Sequence, residues 1–134
     1  MSYTLLTIVG GLRYDYITRE LPQVLHASDL PLDLNRSSVF GHSMGGHGAL
    51  TIYLRRLNST NAFRSASAFA PICNPTLAPW GEKAFAGYLT DGVEEGKEWD
   101  ATELISKVDG KNLHILADVV SYSFSSLRVS RCHD

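Results

Sequence analysis

The sequence has no strong excess of either charge, few cysteines and no long apolar run. Twelve basic residues nearly balance fourteen acidic residues, which gives a formal net charge of −2. This balance argues against a nucleic-acid-binding protein and against binding to an anionic membrane surface. The two cysteines, Cys73 and Cys132, could form one bridge. Because small disulfide scaffolds contain far more cysteine, we instead expect reduced thiols and a cytoplasmic protein.

Residues 1–11 lack the marks of a targeting segment. They include a short apolar stretch, but no basic region precedes it and no small-residue cleavage site follows it. The stretch is much too short to span a bilayer, so we interpret it as a strand or an irregular terminus. The length of 134 residues, with 44% hydrophobic and 19% charged residues, fits one soluble globular domain.

The most informative segment is Gly41-His42-Ser43-Met44-Gly45, which follows a short apolar stretch. It has the G-x-S-x-G pattern of a nucleophile elbow, in which a sharp turn between a strand and a helix exposes a serine hydroxyl. The lack of a Cβ at Gly41 and Gly45 would let neighbouring backbone pass close to a strained serine. The first amides of the helix would then face the place where an oxyanion forms.

Segments with helix and strand patterns alternate along the chain. The predicted elements are a helix over 13–25 that Pro22 kinks or ends, a strand over 37–40, a helix over 45–57, a strand over 65–70, a short helix around 83–89, a charged turn over 90–97, a helix from Asp100 to Val108 and a strand over 113–117. Asp100 and Glu103 have the spacing of a capping box. This alternation predicts an α/β fold with a parallel sheet and flanking helices.

Three segments besides the elbow carry a family pattern, at residues 14–22, 67–75 and 79–85. The second contains the run Ala-Phe-Ala-Pro-Ile-Cys-Asn-Pro at 68–75. With residues 40–54, these segments closely resemble the S-formylglutathione hydrolase (esterase D) branch of the α/β-hydrolases. The resemblance implies a partial α/β-hydrolase core that forms a single incomplete domain over 1–134. Residues 13–117 are similar to the family. The ends at 1–12 and 118–134 diverge from it, which suggests truncation at both ends.

The resemblance also implies an activity and the residues that carry it. Members of this branch are cytosolic thioesterases that hydrolyse S-formylglutathione, a small-molecule thioester, in the last step of glutathione-dependent formaldehyde detoxification. They need no metal or other cofactor, and the resemblance leaves a homodimer open. Ser43 falls on the family's nucleophile, Met44 on a residue whose N–H helps form the oxyanion hole, and Trp80 on the loop that borders the acyl pocket.

The resemblance identifies no triad acid and no triad histidine. Where the family has a glycine-containing loop that delivers the acid, residues 119–123 contain neither a glycine nor a carboxylate. Asp118 is a minor candidate for the acid, since it ends a predicted strand. His133 is the one histidine in the C-terminal region, where the order Ser…Asp…His would place the base, and we interpret it instead as a solvated terminal residue.

The remaining histidines and Cys73 are expected to have structural roles. His42 and His47 flank the serine and are interpreted as packing residues, and His114 as a structural residue of the third strand. The histidines lack the spacing of a metal site. Cys73 has no basic neighbour in sequence to activate its thiol, so it is expected to be a packed, inert cysteine.

Two functions therefore stay open for the chain. The first is a serine hydrolase of the S-formylglutathione hydrolase type. The second is a catalytically inactive, truncated hydrolase fragment that either associates with a full-length partner or is simply unstable. A variant of the first keeps the fold and changes the acyl group, as in feruloyl or acetyl esterases with similar elbows.

Overall fold

The computed structural model describes residues 14–110 and 113–119. Its elements are a π-helical segment, five α-helices, three strands and three 3₁₀ turns. In chain order, they are the π-helical segment Tyr16–Glu20, α1 Leu21–His26, a 3₁₀ turn Leu34–Arg36, β1 Val39–His42, α2 Met44–Arg56, β2 Ala66–Phe69, a 3₁₀ turn Pro75–Leu77, α3 Pro79–Tyr88, α4 Gly92–Gly96, a 3₁₀ turn Lys97–Trp99, α5 Ala101–Ile105 and β3 Ile115–Asp118. The predicted interpretations of residues 1–13 and of His133 fall outside these ranges.

The three strands form a parallel sheet in the order β1-β2-β3, as the sequence predicts. Val39 pairs with Ala66, which pairs with Ile115, and His42 pairs with Phe69, which pairs with Asp118. Because all strands run the same way, their carboxyl ends lie at one edge. In parallel sheets this is the edge at which ligands bind, outside the strand ends.

One face of the sheet carries the hydrophobic core. Ala66 and Ala68 are buried there, and their small side chains let α2 lie close to the sheet, with Leu50, Tyr53 and Leu54 packed against them. The predicted apolar character of α2 is confirmed, since every residue from position 46 to position 54 is buried. The Tyr53 hydroxyl also accepts a hydrogen bond from the His114 N–H at 3.0 Å, which ties α2 to the start of β3.

On the opposite face of the sheet, the described residues Phe40, Phe69 and Leu116 have exposed side chains. Side chains alternate between faces along a strand, so residues next to the core positions point the other way. We call this surface the open face, and it consists of Phe40, His42, Ser67, Phe69, Leu116 and Asp118.

The first helix changes geometry just before Pro22. Residues 16–20 form a π turn, in which the Leu21 N–H donates to the Tyr16 carbonyl, and α1 then begins with Pro22 in its first turn. A proline inside a regular α-helix collides with the carbonyl four residues earlier, and the wider π turn avoids that arrangement. Pro22 does not end the helix, since the chain stays helical through His26, and what changes at this point is the helix geometry.

The predicted turn over 90–97 is confirmed only at Thr90 and Asp91, because residues 92–96 are helical and a 3₁₀ turn follows from Lys97. α4 begins at Gly92, and the Glu95 carboxylate accepts hydrogen bonds from the Thr90 and Asp91 N–H groups at 3.0 and 3.3 Å. Gly96 lies under the Phe85 ring, where a Cβ would come within 2.5 Å of Cδ2. Two features stabilise this short helix in place of a turn. The Glu95 carboxylate accepts from the amides before the helix, and Gly96 leaves room for the Phe85 ring.

Asp100 caps the next helix, which is one half of the predicted capping box; the Asp100 N–H donates to the Lys97 carbonyl and not to the Glu103 side chain. Its side chain accepts hydrogen bonds from the Thr102 and Glu103 N–H groups at 2.8 and 3.3 Å. The helix ends at Ile105, three residues before the predicted end at Val108. β1 lies at 39–42, two residues later than the predicted 37–40, because Gly41 and His42 continue the pairing with β2.

Candidate active site at the elbow

Ser43 has a backbone conformation that few non-glycine residues adopt. It lies between β1 and α2 with φ 55° and ψ −118°. Its N–H donates to the Phe69 carbonyl at 2.8 Å, and its own carbonyl accepts from the His47 N–H at 3.1 Å. The Ser43 N–H is thus bound to the sheet, and the Ser43 carbonyl is bound to the first turn of α2. Such strained positions cost about 1–3 kcal/mol and occur mainly at functional sites.

Two glycines allow the close approach of α2 to β1, but one of them is not the predicted residue. A Cβ at Gly41 would lie 2.2 Å from the Gly45 carbonyl oxygen, so a side chain is excluded there, as expected. A Cβ at Gly45 would meet no atom within 4 Å, so the prediction for Gly45 is wrong. The second close approach belongs to Gly46, where a Cβ would lie 3.1 Å from the Pro71 Cβ and 3.2 Å from the Gly41 carbonyl oxygen. The adjacent glycines in the sequence left this choice ambiguous.

The serine side chain does not cap the helix that follows it. Ser43 occupies the N-cap position of α2, yet its side chain makes no capping hydrogen bond. Serine at such a position usually accepts a bond from a first-turn amide. Met44 is the first residue of this 13-residue helix. The end of α2 at Ser43 and Met44 therefore has the positive end of a helix dipole, which favours a developing negative charge.

His47 is buried and serves the packing of the elbow. Its side chain is 1% exposed and hydrogen-bonds to the Ile72 backbone, while Nδ1 has no partner among the residues that the structure describes. Burial away from water lowers the pKa of His47, only partly offset by the charge of Asp100 and by the Ile72 hydrogen bond. The neutral ring joins α2 to the loop that follows β2. Its predicted role as a packing residue is confirmed.

None of the other described histidines hydrogen-bonds to the serine hydroxyl. His114 precedes β3 and so lies at the amino edge of the sheet, opposite to Ser43. His42 is the last residue of β1 and belongs to the open face. Across residues 14–110 and 113–119, no imidazole hydrogen-bonds to Ser43 Oγ. No group of three or more His, Cys, Asp or Glu side chains in those ranges is placed to hold a metal ion.

Asp118 lies at the same sheet edge as Ser43. It ends β3, two strand spacings from β1, which is roughly 10 Å. Its carbonyl accepts a hydrogen bond from the Ala70 N–H at 2.6 Å, and Ala70 is the second non-glycine residue with positive φ, at 44°. The carboxyl edge thus has a strained residue directly after each of β1 and β2.

Trp80 is the second residue of α3, which follows the loop that leaves the carboxyl end of β2. The loop and α3 meet at Gly81, where a Cβ would overlap the Pro75 carbonyl group. The Trp80 side chain is half-buried. Its place after β2 is consistent with the predicted position of the pocket loop.

Asp100 is a buried carboxylate whose importance the sequence did not reveal. It is 0% exposed, and beyond its capping bonds it accepts from the Thr76 N–H at 3.0 Å and lies 2.7 Å from the Thr76 hydroxyl. It therefore joins the loop after β2 to α5. The sequence predicted the capping role of Asp100. It gave no sign of the bonds to Thr76, because Thr76 lies 24 residues away in the sequence.

A cavity of about 770 Å³ lies between α2, α5 and β3, away from the elbow. Leu50, Cys73, Ile105 and Ile115 are among its mostly apolar lining residues, and Ser43 is not. Cys73 is half-buried beside the core, as the predicted packing role requires. Over the described ranges, no helix combines the length and the apolar character needed to cross a membrane.

The parallel sheet, its flanking helices and the strained serine between β1 and α2 define part of an α/β-hydrolase. The chain belongs to the family described as "Putative esterase", which matches residues 12–121. It is 51% identical over 105 residues to the S-formylglutathione hydrolase of Rattus norvegicus and 51% identical over 105 residues to that of Arabidopsis thaliana. Each match covers 78% of this chain.

A solved structure of an S-formylglutathione hydrolase from Agrobacterium tumefaciens is also similar. It has a TM-score of 0.66 and 38% sequence identity, and the match covers 86% of this chain and 41% of that protein. The chain spans 36% of the rat and Arabidopsis relatives. The predicted fold class and the predicted family are both confirmed.

Proposed function

We propose that the chain carries the nucleophile-bearing part of a serine thioesterase and carboxylesterase of the S-formylglutathione hydrolase type. The observation that carries this proposal is the conformation of Ser43, a non-glycine residue with φ 55° between a parallel strand and the first residue of a 13-residue helix. The identity of about one half to enzymes with that name supports the same chemistry.

In this proposal, Ser43 Oγ attacks the carbonyl carbon of the thioester. The negative charge that forms on the carbonyl oxygen is stabilised by the Met44 N–H at the positive end of α2. Trp80 borders the space for the acyl group. The hydroxyl proton passes to a histidine that an acid orients, and then to the thiolate as the carbon–sulfur bond breaks. Water then gives a proton to the same histidine and attacks the acyl-serine ester, which releases the acid and returns the proton to Ser43 Oγ. The proposed reaction uses no metal or other cofactor.

The proposed substrate is S-formylglutathione, which would yield glutathione and formate. The role would then be formaldehyde catabolism in the cytoplasm, and the family-like residues would form one domain. We take the substrate class from the resemblance of the elbow and of residues 67–75 to this branch. Other small acyl groups are the competing substrates, and a panel of thioesters and aryl esters separates them.

A second candidate is a catalytically inactive fragment that acts by association. Two observations favour it: the described residues place no imidazole in hydrogen-bond contact with Ser43 Oγ, and the open face exposes apolar side chains of all three strands. Without a general base the serine is a poor nucleophile, and loss of the base alone costs roughly 10⁶-fold in rate.

A hydrolysis assay distinguishes the two candidates. Wild type, Ser43→Ala and Ser106→Ala are compared on S-formylglutathione and on a chromogenic acetate ester. Ser106→Ala is the matched control, because Ser106 is exposed and bonds only its own helix end, at the Glu103 carbonyl. The proposal predicts that Ser43→Ala alone removes the activity. Equal rates for wild type and Ser43→Ala, with both proteins folded, would establish the inactive fragment instead.

A further inference from the structure

The connection between β2 and α3 starts in contact with the elbow. We call its residues, 70–78, the β2–α3 loop. The Phe69 carbonyl, at the end of β2, accepts a hydrogen bond from the Ser43 N–H at 2.8 Å. In the first turn of α2, a Cβ at Gly46 would lie 3.1 Å from the Pro71 Cβ, so the two backbones are close there. The start of the loop and the residues around Ser43 therefore hold each other in place.

The middle of the β2–α3 loop is bound to the first residues of α5. Asp100 Oδ2 accepts from the Thr76 N–H at 3.0 Å and lies 2.7 Å from the Thr76 hydroxyl, and both residues are buried. The Cys73 carbonyl accepts from the Thr102 N–H at 3.2 Å and from the Thr102 hydroxyl at 3.1 Å. Residues 73–76 are thus held by partners that lie 24 and 29 residues later in the chain.

The same loop determines where Trp80 lies. Pro75 is fully buried, and its carbonyl group lies against Gly81, where a Cβ would overlap it. Trp80 directly precedes Gly81 in the first turn of α3, and its side chain is half-buried. Because Thr76 directly follows Pro75, the bonds from Asp100 hold the segment against which this turn of α3 packs. A displacement of Thr76 would therefore displace Trp80 as well.

We propose that Asp100 is a positioning residue that keeps Trp80 in place near Ser43 and so limits the length of the acyl group that the serine accepts. This role rests on the proposed function, in which Trp80 borders the space for the acyl group. The loop is held at its start by the elbow and in its middle by α5, which leaves Trp80 little freedom to make room for longer chains. When the Asp100 bond to the loop is removed, Trp80 can move aside and longer acyl groups are accepted.

Asp100→Asn removes the bond to the loop and retains the helix cap. The two carboxylate oxygens have different partners. Oδ1 accepts from the Thr102 and Glu103 N–H groups, whereas Oδ2 accepts from the Thr76 N–H. Asparagine keeps one oxygen for the cap, where it is as favourable as aspartate, and replaces the other by an amide nitrogen that cannot accept from Thr76. Asp33→Asn is the matched control, because Asp33 is an exposed capping residue outside the loop.

Thr102→Val perturbs the same loop more mildly. It removes the hydroxyl bond to the Cys73 carbonyl and retains the bond from the Thr102 N–H. The Thr102 side chain is exposed, so this variant carries the test if Asp100→Asn does not fold. Circular dichroism establishes which variants are folded. Thr102→Val should change acyl selectivity in the same direction as Asp100→Asn, by about threefold.

Hydrolysis of a chromogenic acetate ester and of the matching hexanoate ester by the full chain measures acyl selectivity. The ratio of kcat/KM for the hexanoate to kcat/KM for the acetate should rise about tenfold in Asp100→Asn and stay unchanged in Asp33→Asn. Trp80→Ala should raise the same ratio. Addition of Asp100→Asn to Trp80→Ala should then change it by less than about twofold, because Asp100 acts through Trp80. An unchanged ratio in folded Asp100→Asn, or full additivity of the two variants, would overturn the proposal.

A measurement without turnover separates this proposal from the proposed function. The chain has two tryptophans, so the fluorescence that is lost in Trp80→Phe is that of Trp80. Acrylamide quenching of Trp80 should rise about twofold in Asp100→Asn and stay unchanged in Asp33→Asn, because only the first variant loosens the loop. Unchanged quenching in folded Asp100→Asn would overturn the positioning role even in an active enzyme. A wild type without Ser43-dependent turnover would refute the proposed function and with it the limit on acyl length, and the quenching would still decide whether Asp100 positions Trp80.

Discussion

Replacement of Gly41 by alanine is expected to disrupt the junction that holds Ser43. A Cβ at Gly41 would lie 2.2 Å from the Gly45 carbonyl oxygen, 2.3 Å from its carbon and 2.9 Å from the Gly46 nitrogen. Ordinary van der Waals contact begins at 3.4 Å, so the first turn of α2 has to move by roughly 1 Å away from β1. All three contacting atoms belong to the backbone, so no side-chain rotation relieves the overlap.

The expected loss for Gly41→Ala is about 3 kcal/mol or more in the free energy of unfolding, at the upper end of overpacking effects. Gly45→Ala is the matched control, since a Cβ there meets no atom within 4 Å and the residue is helical. Alanine favours a helix over glycine by up to about 1 kcal/mol, so this variant is expected to be as stable as wild type or more stable. Gly46→Ala should fall between the two because its nearest contacts lie at 3.1 to 3.3 Å.

Urea unfolding, followed by far-ultraviolet circular dichroism, measures the free energies of the three variants. If Gly41→Ala does not unfold cooperatively, the loss of the transition is itself the expected result. A Gly41→Ala protein within about 0.5 kcal/mol of wild type would refute the close approach of α2 to β1. A Gly45→Ala protein that is destabilised as much as Gly41→Ala would refute the assignment of the contact to Gly41.

Two further stability measurements examine the buried polar groups. Asp100→Ala removes the acceptor for the Thr76, Thr102 and Glu103 N–H groups. It should lower the free energy of unfolding by about 3 kcal/mol or more. Thr76→Val loses only the hydroxyl and should lower the free energy of unfolding by about 1–2 kcal/mol. Equal losses in the two variants would contradict the buried network. Burial lowers the pKa of His47 below its ordinary value of 6.5, so the unfolded chain binds the proton more tightly than the folded one. The stability due to neutral His47 is therefore present above pH 6.5 and is lost as the pH falls towards the folded pKa. His47→Gln should unfold with less dependence on pH between about 7.5 and 5, and an unchanged dependence would contradict the burial of the ring.

Local patterns predicted the parts of the fold whose determinants are close in sequence. α2 and β2 were predicted nearly to the residue, because the helix is apolar on all sides and the strand is a run of small residues that ends at Pro71. The Asp100 cap was predicted because its partners lie two and three residues away. The strained turn at Ser43 was predicted from the glycine and serine spacing.

The errors arose where contacts between distant residues determine the outcome. α4 was taken for a turn because its glycines suggest a loop, while the Phe85 ring over Gly96 is visible only in three dimensions. Gly45 and Gly46 could not be told apart because the choice depends on Pro71, on another element. The hydrogen bonds that bury Asp100 come from Thr76, which lies 24 residues away, so they had no local signal in the sequence.

Labelling by a fluorophosphonate probe tests the central claim most directly, namely that Ser43 is a nucleophile presented at the carboxyl edge of the sheet. Wild type and Ser43→Ala are treated with the probe, digested and mapped by mass spectrometry. The structure predicts a covalent adduct on the peptide that contains Ser43, and no adduct at that position in the variant. A folded wild-type protein that forms no adduct, or one labelled equally in both proteins at another residue, would contradict the assignment of Ser43.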